Sequence, residues 1–132
     1  MRPSRFVDNM LRRGYTYASE YVSMPKPDSL QGSLDLLVLK ILSRRPRLHG
    51  YALMLAIQET SRDVLRVEEG SLYPALHRME EAGWIRAEWV TKETGRRARE
   101  YELTAAGKKQ LTVEESRWQT VTSAVNRVLR TV

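Results

Sequence analysis

The chain has 132 residues, a formal net charge of +6, 42% hydrophobic residues and no cysteine. That length suits one domain with an arm or tail, and leaves no room for a second full domain. The charge favours a polyanionic partner, nucleic acid or an anionic membrane surface, while the missing cysteine excludes a disulfide framework, a thiolate metal site and a cysteine nucleophile. No run of about 18 apolar residues occurs, and the N-terminus lacks the apolar core of a secretory signal, so a cytoplasmic protein with no membrane partner is expected.

Residues 1–28 mix arginine, tyrosine and small polar residues without sustained periodicity and end at Pro25 and Pro27, which disfavour a continuing helix. They predict a flexible N-terminal extension, either a basic arm on DNA phosphates or a segment upstream of a natural start at Met24. Leu34, Leu37, Val38, Ile41 and Leu42 then form a helical stripe, with Gly32 and Ser33 as cap residues of a helix over 29–45. Arg44, Arg45 and Arg47 complement its C-terminal end. A second helix runs from His49 or Gly50 to about Arg62, burying Ala52, Leu55 and Ala56, and His49 sits where a helix cap is needed. Val64, Leu65 and Val67 are a brief β-type run that could pair along a hairpin edge.

The stretch from Glu68 to Gly83 carries the functional expectation. Leu72, Ala75, Leu76, Met79 and Ala82 recur at helical spacing and predict a buried stripe. Gly70 or Ser71 as N-cap would put Pro74 in the first turn, and Gly83 would end the helix. Tyr73, Pro74, His77, Arg78 and Glu81 are left facing outward, offering a phenol, an imidazole and a guanidinium that suit phosphates or the acceptor edge of guanine. An ordinary surface helix is the alternative reading of the same residues.

Trp84 to Val90 and Glu100 to Leu103 alternate as two strands. Between them lies a turn centred on Gly95 that carries Lys92, Arg96, Arg97 and Arg99. Such a basic tip suits a phosphate or minor-groove contact, although a charge run is also the mark of a solvated loop. Thr104 can cap a last helix from Ala105 to about Arg130. Its Leu111, Trp118, Val121, Val125 and Val128 form a seam, interrupted by Glu114, that one small domain cannot cover, so a partner helix from a second copy is expected.

Helix, helix, short run, helix and basic hairpin is the order of a winged helix-turn-helix, mainly α with a small β-hairpin (α+β) and a long C-terminal dimerisation helix. The domain reading is 1–28 extension, 29–104 winged helix and 105–132 dimerisation helix. Gly32-Ser-Leu-Asp-Leu-Leu-Val-Leu, His49-Gly-Tyr, Glu69-Gly-Ser-Leu-Tyr-Pro-Ala-Leu-His-Arg-Met-Glu, Gly95-Arg-Arg and Tyr101-Glu-Leu-Thr together resemble the PadR-like transcriptional regulators, over about Leu30 to Leu111. The resemblance is to the short-tailed branch with a single C-terminal helix. It implies a homodimer, usually a repressor, that binds double-stranded DNA at an inverted repeat and is released by an effector. By position it implies Tyr73, Pro74, His77 and Arg78 on the recognition helix, Gly95 to Arg97 on the wing tip, and Trp118 on the dimer helix, either as an interface anchor or as a stacking surface for a small aromatic effector; Ser71, Lys92 and Arg99 are expected to join the DNA contacts. No cofactor or metal is expected. An enzyme would need a nucleophile with its base, paired carboxylates or metal-ligand spacing, none of which the residues supply. The rival from another class is a winged helix that serves only as a protein-interaction module.

Overall fold

Helix α1 (Lys26–Arg44) opens the part of the chain that the structure, a computed structural model, describes, residues 26–131. It begins earlier than the leucine periodicity implies. Pro27 falls in the first turn, where a missing N–H has no helical acceptor to lose and the fixed φ suits the helix. Gly32 and Ser33 are therefore interior residues and not caps. The predicted extension gives up its last three residues to this helix, and its remainder, including Met24 and Pro25, lies outside the described residues. The chain divides into two compact units, Met1–Ser33 and Leu34–Val132, and the elements that follow belong to the second.

Strand β1 (Leu48–His49) follows α1, and His49 then caps α2 (Gly50–Thr60), its Nδ1 accepting from the Ala52 N–H at 3.2 Å. The face that α2 buries is Leu53, Ala56 and Ile57, whereas the predicted Leu55 is exposed, two residues and so just over a half-turn from Leu53. Nor do Val64, Leu65 and Val67 form a strand. Arg62 and Asp63 turn the chain at positive φ, and the Asp63 N–H bonds the Gln58 carbonyl at 2.8 Å while the Leu65 N–H bonds the Ser61 hydroxyl at 2.9 Å, so this backbone is held within the loop itself.

Helix α3 (Glu69–Glu81) starts a residue or two before the predicted cap, with Glu68 as N-cap and no side-chain cap bond. Pro74 consequently lies in the second turn, not the first. The cost is modest because the carbonyl that loses its donor belongs to exposed Gly70, where water replaces it. Leu72, Ala75, Leu76 and Met79 are buried as expected, but Ala82 is the exposed C-cap. Gly83 adopts φ +84, its N–H bonds the Glu80 carbonyl and the Trp84 N–H bonds the Met79 carbonyl, both at 3.0 Å, a Schellman ending that turns the chain straight into the sheet.

Strands β2 (Ile85–Thr91) and β3 (Arg97–Leu103) pair antiparallel from Ile85↔Leu103 to Thr91↔Arg97, and β1 adds to the other edge of β3 through Leu48↔Tyr101. The sheet order is β1-β3-β2. Gly95, at φ +88, closes the hairpin tip. Helix α4 (Ala105–Thr131) is capped by Thr104, whose Oγ1 accepts from the Gly107 N–H at 3.0 Å. The same hydroxyl reaches the carbonyl oxygens of Gly83 at 2.6 Å and Trp84 at 3.0 Å, and the Thr104 N–H donates to Trp84 at 3.1 Å. A side chain at Gly107 would run into the Trp84 carbonyl oxygen, so α4 sits as close to the α3–β2 turn as a backbone can. Helices α1, α2 and α3 with Ile85, Tyr101 and Leu111 enclose one apolar core. Among the described residues no helix is long and apolar enough to cross a membrane.

Gly107→Ala should lower stability by about 2 kcal/mol or more, because a rigid backbone oxygen must move, whereas Thr104→Ala should cost about 1 kcal/mol as a lost cap. Thermal unfolding followed by circular dichroism measures both, and an unchanged melting temperature in Gly107→Ala would contradict the packing of α4 on Trp84.

Candidate nucleic-acid interface

One side of the hairpin meets the ends of α2 and α3 in an open groove of about 620 Å³. Its lining follows from strand alternation. Ile85, Ala87, Trp89 and Thr91 share a sheet face with Leu103, Tyr101, Arg99 and Arg97, so the inner half of that face joins the core and the outer half carries a tryptophan beside two arginines. Tyr51 at the start of α2 and Tyr73 on α3 close the groove from the helical side. The N-terminal end of α2 opens here, and its partial positive charge favours an anion. Tyr73 lies over Gly50: a Cβ at 50 would fall 2.5 Å from the Tyr73 hydroxyl, so a side chain there would swing the phenol aside. Burial pushes the Tyr101 phenol up from its ordinary range, so it backs the groove as a neutral donor.

The wing cations are not equivalent. Arg97 lies 4.7 Å from the centre of the Trp89 ring and Arg99 5.7 Å from it, and Arg99 also pairs with Glu80 of α3 at 2.7 Å. Lys92 is paired with Glu100 at 3.0 Å. Arg96 stands exposed at the tip with no ion-pair partner among the described residues. On the opposite sheet face Glu102 accepts from Arg86 and Arg47, and Arg47 also pairs with Glu88; these bonds hold the Glu102 carboxyl below the usual carboxylate range. That face neutralises itself, which leaves the groove side as the hairpin's basic surface.

On α3, Ser71, Tyr73, Pro74 and His77 are exposed, with His77 3.3 Å from Glu81. Arg78 departs from its predicted outward position. Its guanidinium turns back to α1 and makes a two-pronged pair with buried Asp35, Nη1 to Oδ2 at 2.9 Å and Nη2 to Oδ1 at 2.8 Å, which raises its pKa further above the ordinary range. A buried carboxylate attracts a guanidinium within reach more firmly than water holds it. On α4, Trp118, Val121, Val125 and Val128 are exposed, but Leu111 belongs to the core and not to the exposed seam, because it lies in the part of α4 that packs on the domain.

Sequence reasoning missed Tyr51, Trp89 and the Arg78 partner. The His49-Gly-Tyr motif at a helix start was the signal for Tyr51, while Trp89 was read only as a strand position. Arg78→Ala should cost about 1 to 3 kcal/mol by stranding the Asp35 carboxylate, whereas Tyr73→Ala should leave stability nearly unchanged. Denaturant unfolding of the two variants measures the contrast; equal midpoints would return Arg78 to the solvent face.

Residues 38–113 match the model of the transcriptional regulator PadR-like family. Among solved structures, the chain is similar to a protein described as a transcriptional regulator from Thermoplasma acidophilum, at 32% identity over 80% of this chain and 98% of that one, with a TM-score of 0.69. It is similar to a PadR family transcription regulator from Clostridium difficile, at 30% identity over 73% and 97% of the two chains, with a TM-score of 0.60. A PadR-like transcription factor from Bacteroides fragilis shares 27% identity over 78% and 96%, with a TM-score of 0.65.

Proposed function

This chain belongs to the PadR-like family of transcriptional regulators, a family of DNA-binding proteins and not of enzymes, and on that premise we propose that it is a homodimeric repressor acting in the cytoplasm on an inverted-repeat operator. The observation that carries the reading is the groove, where Arg96, Arg97 and Arg99 of the wing face Tyr51 and Tyr73 across an open cleft beside the exposed side of α3. Tyr73, Pro74, His77 and Ser71 would meet base edges and the nearby backbone in the major groove. Lys92, Arg96, Arg97 and Arg99 would meet phosphates or the adjoining minor groove. Of these, Arg96 and Arg97 are the cations not held in an ion pair among the described residues, so they would carry most of the counterion release.

Specificity would need two copies. Trp118, Val121, Val125 and Val128 expose an apolar strip on a helix whose far end leaves its own domain, and a second α4 is the simplest cover for it. Two recognition helices would then sit about one duplex turn apart, roughly 34 Å. A flat aromatic effector stacking on Trp118 would relieve repression by favouring a different angle between the two protomers. It would act only through its unequal affinity for the two arrangements.

Replacing Arg96 and Arg97 together by Ala should reduce the slope of log affinity against log salt by about two, if each neutralises one phosphate. A titration by fluorescence anisotropy across salt concentrations reads it; an unchanged slope means the tip is solvated. Val121→Asp with Val125→Asp should convert the dimer to monomer in sedimentation equilibrium and lower operator affinity with it, although neither residue meets DNA. A variant that stays dimeric would remove α4 from the interface.

A further inference from the structure

We propose that Asp35 and Arg78 form a positioning unit that sets the orientation of α3 against DNA, so that operator discrimination depends on two residues that touch no base. The inference rests on the DNA-binding reading above and assigns specificity to side chains behind the recognition surface.

Arg78 is adjacent to His77 and little more than one turn from Tyr73 and Pro74, yet it points the other way. Its two parallel bonds to Asp35 fix both the distance and the plane of the guanidinium, which a single bond or an apolar contact would leave free. Asp35 is 5% exposed and comes from α1. On α4, Glu114, 7% exposed, is held by Gln110 at 2.8 Å and faces Arg117 at 3.5 Å, so its charge is answered within its own helix. Nearby, Lys40 of α1 pairs with Glu115 of α4 at 2.8 Å. Helices α1 and α3 thus meet at one guanidinium, and the Lys40–Glu115 pair ties α1 to the helix that carries the exposed apolar strip.

Stability alone is a poor reason for this arrangement, because a packed apolar pair stabilises as well or better than a buried ion pair. Its distinctive product is orientation. For a helix about 10–12 Å across with its side chains, a roll of about 10° moves the side-chain tips by about 1 Å, enough to spoil hydrogen bonds to base edges, whose geometry is narrow. Contacts to phosphates through the longer wing arginines tolerate such a shift. Loosening the unit should therefore weaken discrimination and spare nonspecific binding.

The test uses the full chain and two duplexes, one enriched by the wild-type protein from a randomised pool and one scrambled from it. Asp35→Asn, which breaks the two-pronged pair without changing shape, should lower the ratio of enriched to scrambled affinity about tenfold, leave scrambled affinity within about twofold and leave the dimer intact. If Arg78 instead contacts bases directly, Asp35→Asn frees it and the ratio holds or rises, which overturns the proposal, as does an equal loss on both duplexes. Should Asp35→Asn fail to fold, Asp35→Leu with Arg78→Met supplies an apolar pair: restored melting temperature with the ratio still low supports the unit, and a ratio restored together with the melting temperature overturns it. Failure of the wild-type protein to enrich any sequence would overturn the DNA-binding reading itself, whereas enrichment with an unchanged ratio in Asp35→Asn overturns the positioning unit alone.

Discussion

The turn at Gly83 and Trp84 is the point to which α3, the hairpin and α4 are all referred. The end of α3 spends its last carbonyls on the N–H groups of these two residues. Their own carbonyls are then taken by Thr104, so the cap of α4 is also its anchor. Gly107 permits the contact because any side chain there would collide with the Trp84 oxygen. A backbone junction of this kind has no soft side chain to absorb motion. A change of direction in α4 would reach α3 and the hairpin together, which is what the proposed dimer would require if its geometry is to decide whether two DNA-reading surfaces bind at once.

The charges divide along the same lines. Cations of the chain that lie near acidic neighbours are mostly bound to them: Arg47 and Arg86 on the outer sheet face, Lys92 at the base of the tip, Arg99 against α3 and Arg78 against α1. The exposed pairs among them add little stability. Their effect on the hairpin is to cancel positive potential on its outer face and to leave it on the groove side around Arg96 and Arg97. A winged helix kept only for binding other proteins has no need of that asymmetry, and the basic groove lined by Tyr51 and Tyr73 is what distinguishes the DNA-binding reading from it.

Much of the fold was legible because its signals are periodic. The stripe Leu72, Ala75, Leu76 and Met79, the alternation in both hairpin strands, the Gly83 ending, the His49 and Thr104 caps and the long last helix all appear where the spacing of apolar and turn residues puts them. What was not legible has short-range or tertiary causes. Leu48 and His49 form a strand only because β3 offers an open edge, and two residues carry no period. Val64 and Val67 have strand-like composition, but local bonds hold their loop. Pro27 reads as punctuation and is helical, and Pro74 lies in the second turn of its helix and not in the first, where its expected cap would put it. Among the site residues, Arg78 has outward helical phase, yet its side chain is long enough to curl back to Asp35, a partner 43 positions away that periodicity cannot reveal. Leu111 has the heptad phase of the exposed strip but lies where α4 still has a domain beneath it.

The central claim is that α4 joins two copies and, through the Gly83–Trp84 junction, holds their recognition helices at a fixed spacing. Pulsed electron paramagnetic resonance measures that spacing directly, since the chain has no cysteine to label elsewhere and a Gly70→Cys side chain on α3 would meet open space. A single narrow distance near one duplex turn, roughly 34 Å before allowance for the label arms, is the predicted result. Absence of dipolar coupling, or a broad distribution with no preferred separation, would contradict it.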